Sequence, residues 1–171
     1  FLLRMLKILL KKHPNTLLLI TGEGPAEEDI RNEIKLLGIT DNVKMIGYLD
    51  QIDELPACYS AADIFVFSSK SETQGIVLLE AMAQGTPVVA IAELGTASIL
   101  FEGRGALIAK DDTKHFSGRV DELLSDQGLH QRMSEEAFKY AKRNWSAKDQ
   151  AKKLISFYSS VKKKYGEKKN N

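Results

Sequence analysis

Five short apolar runs, four of them opening strand-then-turn units, constrain this chain more than any other feature. Thr16 to Thr21 (TLLLIT) ends at the glycine turn GEGP, after which Ala26 to Leu37 carries helical spacing through Ile30, Ile34 and Leu37 and stops at Gly38. The alternation recurs as VKMIG (43–47) before a helix over 52–62, IFVF (64–67) before a helix from Gly75, and PVVAI (87–91) before a short turn. A last run, ALIA (106–109), follows Gly103 and Gly105. Runs with no polar alternation are buried on both faces, the mark of a parallel sheet sandwiched between helices. Beyond residue 113 the spacing becomes wholly helical, over 113–125, 128–143 and 147–164. The fold class expected is therefore α/β, a three-layer domain with a parallel sheet and a helical C-terminal segment. Residues 1–161 make up this domain, and the polar, lysine-rich end, KKKYGEKKNN (162–171), reads as a basic disordered tail.

Composition removes several function classes. With 24 basic and 23 acidic residues the formal net charge is +1, which favours neither nucleic acid nor an acidic tail. One cysteine, Cys58, forms no internal disulfide, and His13, His115 and His130 have no metal-ligand spacing, so no metal and no cofactor are expected. The N-terminal FLLRMLKILL is broken by Arg4 and Lys7 and is too short to span a bilayer, so the expected location is cytoplasmic. Because the chain opens on Phe1 inside an amphipathic helix, it is expected to be a piece of a longer protein.

An open parallel sheet binds its ligand beyond the carboxyl ends of its strands, which places GEGP, the loop after MIG, SSKSETQ and AELGT along one rim. The segment SETQGIVLLEAMAQGTPVVA (71–90) is the one in which chemistry is concentrated. Its helix starts near Gly75, stops at Gly85–Pro87, and is apolar almost all round, so it is expected to be buried. An ionised Glu80 in such a helix is costly unless strong hydrogen-bond donors meet it, and sugar hydroxyls are such donors. The free N–H groups of Gly75, Ile76 and Val77 form an anion site suited to a phosphate or diphosphate, with Glu72 just outside. Glu80 lies five residues further along, roughly 7.5 Å at 1.5 Å per residue. One carboxylate on each side of a diphosphate suits a nucleotide diphosphate sugar. The competing readings are that Glu72 is a loop or cap residue, that Glu80 is a structural charge paired with a lysine, and that GEGP, which lacks a third glycine, is a plain turn rather than a phosphate contact.

At this point the sequence resembles the retaining glycosyltransferases of the GT-B fold, family four. The resemblance rests on HPNTLLLITGEGP, DNVKMIGYL, AADIFVFSS, the glutamate pair followed by AMAQGTPVVA, and RGALIAKDD, in that order over nearly the whole chain. It implies a Rossmann-like half of a GT-B enzyme, the half that binds the nucleotide-sugar donor. It further implies Glu72 as the catalytic-site residue for the transferred sugar, with Thr73, Gln74, Gly75, Ile76 and Val77 around the donor. Glu80 would take the ribose, backbone groups of Met45, Ile46 and Gly47 the base, and Gly22 and Gly24 stand as secondary contacts. The basic pair that clamps the diphosphate in the family, and the N-terminal acceptor domain that is the partner of this half, are not in these 171 residues. Where relatives carry a glycine pair and a Pro-Glu step, this chain reads AELGTASIL. The SETQG and GTASIL variants, together with GALIAKDD, resemble members that glucosylate diacylglycerol, which implies a membrane lipid as acceptor, with a cell-surface glycan as the alternative. UDP-glucose is the expected donor, and the lysines from 162 to 164 read as a solvated helix end or as a contact with an anionic membrane surface. A nucleotide-sugar epimerase of the same fold, and a noncatalytic nucleotide-sensing or interaction domain, are the alternatives.

Overall fold

The computed structural model describes residues 1–166. Its elements follow the expected order: α1 (Leu2–Leu9), β1 (Leu18–Thr21), α2 (Glu27–Leu37), β2 (Val43–Gly47), α3 (Glu54–Ala61), β3 (Phe65–Phe67), α4 (Ile76–Ala83), β4 (Val88–Ile91), β5 (Ala106–Ala109), α5 (Thr113–Ser125), α6 (Gln127–Asn144) and α7 (Ala147–Gly166). Local chemistry sets several boundaries. Gly38 adopts φ 64°, its N–H donates to Lys35 O and the Ile39 N–H to Ile34 O at 3.2 Å, while Ile34 and Ile39 share one apolar cluster. This is a Schellman stop with its hydrophobic contact. Asp112 and Asp126 cap α5 and α6 by accepting the His115 and Leu129 N–H groups.

The expectation of one sheet needs correction. Among the described residues the strands form two separate parallel ladders, β1–β2 and β3–β4–β5. In the larger one, Val89 and Ile91 of β4 and Leu107 and Ala109 of β5 face α1 and α5, where Met5, Leu9, Phe116, Val120 and Leu123 complete a core. Val88, Ala90 and Ala106 face the other way, against Leu78 and Met82 of α4 and Ala137, Tyr140 and Ala141 of α6. These are the three layers expected. Over β1–β2 the coverage is one-sided: Leu18, Ile20 and Met45 pack with Leu3, Leu6, Ile34 and Ile39, while Leu19, Lys44 and Ile46 are exposed. The short helix α1 serves both cores because Leu3 and Leu6 lie on one flank of it and Met5 and Leu9 on the next.

The C-terminal expectation is also revised. The helix α7 runs through Lys162, Lys163 and Lys164 to Gly166, past the point where a disordered tail was expected to begin, and 167–171 lie outside the described residues. No helix among the described residues is long and apolar enough to cross a membrane.

Candidate functional site

The loop between β3 and α4 is built around its glutamate. Gly75, the last residue before the helix, has φ 65°, which favours glycine, and a Cβ there would also press on Ile99 Cδ1 at 3.0 Å and Leu78 Cδ1 at 3.1 Å. Glu72 Oε1 accepts the N–H groups of Gln74 at 2.9 Å and Gly75 at 3.0 Å. These donors, Gly75 first, hold its carboxyl below the usual carboxylate range, and Glu72 is therefore a fixed anion. The cap reading of Glu72 thus describes the geometry of this structure, and it takes the Gly75 N–H away from any ligand. Gly75, as N-cap, has no side chain to cap the first turn of α4, so the Ile76 and Val77 N–H groups remain as open donors.

The segment AELGT (92–96) packs against this loop. The Gly95 N–H donates to Glu72 O at 3.1 Å, and a Cβ on Gly95 would stand 2.1 Å from Thr73 O. Thr96, fully buried, shapes that turn by donating to Glu93 O at 2.6 Å and accepting the Glu93 N–H at 2.9 Å. Gly95 and Thr96 thus support the loop that carries Glu72 and Thr73. Sequence reasoning missed this support, although the G–T step of AELGT was its visible trace.

The helix α4 is less buried than its composition implies. Leu78, Ala81 and Met82 are fully covered, but Ile76 is 54% exposed and Val77, Leu79 and Glu80 are half-buried. Among the described residues Glu80 is not paired with a lysine. Its partner is Tyr59 of α3, whose hydroxyl donates to Oε2 at 3.3 Å. Burial first, and then the Glu80 charge, push the Tyr59 phenol well above its ordinary pKa, so it stays a donor.

The remaining candidates lie at the ends of β1 and β2. Gly22 and Gly47 both have positive φ, 97° and 71°, and the Gly22 N–H donates to Gly47 O at 2.7 Å. Met45 turns its side chain into the core beside α1 and α2 and offers only backbone, whereas Ile46 points outward. Gly22 and Gly24 have open space where a side chain would be. The structure therefore groups Glu72 to Val77 with Glu80 on one short helix and its entry loop, and gathers Gly22, Gly24 and Gly47 at the end of the other ladder. A cavity of about 360 Å³ lined by Leu79, Ala83, Phe138, Ala141, Lys142, Trp145 and Ser146 contains none of these residues. Its lining is mostly apolar, with Lys142 and Ser146 as the polar members. No group of three or more His, Cys, Asp or Glu among the described residues could hold a metal ion.

Residues 1–140 match the family model described as glycosyl transferases group 1. The chain belongs to that family. It is 31% identical over 159 residues to an uncharacterized glycosyltransferase of Methanocaldococcus jannaschii, covering 92% of this chain and 40% of that protein. It is 32% identical to the N-acetyl-alpha-D-glucosaminyl L-malate synthase of Bacillus anthracis over 84% of this chain and 36% of that enzyme. This glycosyltransferase domain thus spans two fifths or less of the length of these relatives. Its structure matches Anabaena HepE, solved in complex with UDP and glucose, with a TM-score of 0.79 at 21% identity, over 92% of this chain and 44% of that one. The likeness establishes a Rossmann-like α/β fold of the kind found in GT-B glycosyltransferases.

Proposed function

We propose that this domain is the donor half of a retaining hexosyltransferase that uses a UDP-sugar, UDP-glucose in the first instance. The carrying observation is the arrangement on α4: a fixed carboxylate at Glu72, open helix N–H groups at Ile76 and Val77, and the Glu80 carboxylate further along the same helix. In this reading the diphosphate lies on the Ile76 and Val77 N–H groups, where the helix dipole and unpaired donors favour negative charge. Glu80 accepts ribose hydroxyls, and Glu72, with Thr73 and Gln74 beside it, accepts hydroxyls of the sugar. Backbone groups of Ile46 and Gly47 meet the base, with Gly22 and Gly24 leaving room for close approach. When the bond from the sugar's anomeric carbon to the diphosphate breaks and an acceptor oxygen bonds to that carbon on the same face, charge grows on the departing UDP, and donors already aimed at it stabilise that change. The UDP bound in HepE supports the choice of base.

The rest of the site lies outside these 171 residues: an acceptor domain of the same protein supplies the other wall of the cleft, and the basic pair for the diphosphate belongs to the strand and turn that lead into α1. The chain as it stands is expected to bind UDP more tightly than GDP by calorimetry and to transfer no sugar. Turnover by these 171 residues, or equal binding of the two nucleotides, overturns this reading.

For the acceptor, a lipid on the cytoplasmic face of a membrane fits α7 best. Leu154, Ile155, Phe157, Tyr158 and Tyr165 are all more than half exposed on this helix, among Lys152, Lys153 and Lys162 to Lys164. A basic amphipathic helix adsorbs in the plane of an anionic interface, each lysine contributing about 1 kcal/mol at low salt. Flotation of the full-length protein with anionic vesicles, lost at high salt, is the expected result; failure to float at any salt, with efficient transfer to a soluble sugar, removes the lipid acceptor and leaves the donor site intact.

A further inference from the structure

Glu80 carries the ribose in the reading above, yet a half-exposed glutamate with three rotatable bonds has no reason to stay in one place. Among the described side chains its hydrogen-bond partner is the Tyr59 hydroxyl. That tyrosine is fixed from two directions. Its ring is buried and meets Phe65 edge-on, with centroids 5.4 Å apart and planes at 89°. Its carbonyl oxygen accepts from Thr86 Oγ1 at 2.6 Å, and Thr86, which follows the end of α4, is itself buried. The helix α3 is thereby latched to α4 at the foot of the helix while its phenol reaches Glu80 on the flank.

We infer that Tyr59 is a positioning residue for nucleotide binding, one that rests on the donor-site reading: it holds the Glu80 carboxylate by Oε2 so that Oε1 and the remaining lone pairs are presented to the ribose diol. The chemistry favours this over simple packing. A carboxylate that already has one neutral donor on one oxygen still accepts two hydroxyls, and a group ordered before the ligand arrives loses less freedom on binding. A phenylalanine at position 59 would fill the same space and keep the edge contact with Phe65, and only the donated hydrogen bond distinguishes the two. At 3.3 Å that bond is long for a hydroxyl donor, so its effect is modest.

The test compares UDP with 2′-deoxy-UDP by calorimetry on the 171-residue chain, in wild type, Tyr59→Phe, Glu80→Gln and the double variant, with melting temperatures for each. Tyr59→Phe is expected to weaken UDP about threefold, to shrink the preference for UDP over the deoxy form, and to have no further effect in the Glu80→Gln background. If Tyr59→Phe lowers the melting temperature while the UDP to deoxy-UDP ratio is unchanged, the phenol only packs and the inference fails. If Glu80→Gln itself binds UDP as wild type does, the fault lies in the donor-site reading. The outcome in which Glu80→Gln weakens UDP and Tyr59→Phe does not condemns the tyrosine alone.

Discussion

Two strands with similar composition have opposite surroundings. VVAI of β4 lies between β3 and β5, with α1 and α5 on one face and α4 and α6 on the other, and every one of its residues is buried. LLIT of β1 has one partner, β2, and helices on one face, so its burial alternates between half-covered and exposed. Sequence reads both as continuous apolar runs and assigns both to the middle of a covered sheet. Apolar content says what a strand can bury, whereas neighbours decide what it does bury. The three-stranded ladder with α4 therefore supports Glu72 and Glu80 on a core covered on both faces, and the two-stranded ladder carries its glycine turns on a core covered on one.

The sharpest way to break this comparison is to place a charge in each strand. Val89→Asp puts an unpaired carboxylate at a position with no exposure and is expected to cost about 4 kcal/mol or more, enough to abolish folding. Leu19→Asp, at a residue 39% exposed, is expected to cost about 1 kcal/mol. Denaturant titration of the two variants measures the difference, and equal losses would mean that β1 is covered as fully as β4.

A smaller effect comes from the loops on the two platforms. Gly95 has an ordinary helical φ of −59°, so Gly95→Ala introduces no backbone strain, only a Cβ 2.1 Å from Thr73 O. The Glu72 loop must move, at about 2 kcal/mol of stability and with loss of UDP-sugar binding. Gly24→Ala meets open space and is expected to change stability by less than about 0.5 kcal/mol. A melting curve and a UDP-glucose titration on each variant are sufficient to tell whether the loop depends on Gly95 as the contact requires.

The smallest effect concerns α1, the element both cores share. Just beyond it, Lys12 and His13 hydrogen-bond to Asp121 of α5, and these contacts, Lys12 first, hold the Asp121 carboxyl down to about 2. A depressed folded-state pKa means that the stabilisation is complete above the unfolded value of 3.8 and is lost as pH falls from about 4 towards 2. Because the pair is near the surface the effect is small. The melting temperature of Asp121→Asn is expected to lie slightly below wild type at neutral pH and to meet it near pH 2; parallel curves would show that the latch contributes nothing.

The elements themselves were legible. A helix expected over 128–143 is found at Gln127–Asn144, and the run 87–91 forms β4 at Val88–Ile91, because caps, glycine stops and apolar spacing are local signals. Glu72 and Glu80 were legible as a pair because they share one helix and its entry. What escaped is contact between segments. Tyr59 is 21 residues from Glu80, and the fit of Gly95 under Thr73 involves a carbonyl that no side-chain pattern reports. The burial expected for α4 failed for a related reason: an apolar helix does not reveal which of its flanks a neighbour will cover, and Ile76 is on an open one. The division of the strands into two ladders was equally hidden, since each strand's own residues satisfy the parallel pattern whether or not a neighbour is beside it.

The central claim is that the two carboxylates on α4 divide one donor between them, nucleotide to Glu80 and sugar to Glu72. It is tested by titrating UDP and UDP-glucose separately into wild type, Glu72→Gln and Glu80→Gln, the amides being chosen because glutamine at position 72 can still accept the Gln74 and Gly75 N–H groups that hold the loop. The predicted result is that Glu80→Gln weakens both ligands by about the same factor, while Glu72→Gln leaves UDP untouched and weakens UDP-glucose. If the two variants change the affinity for free UDP equally, the division of roles along the helix is wrong.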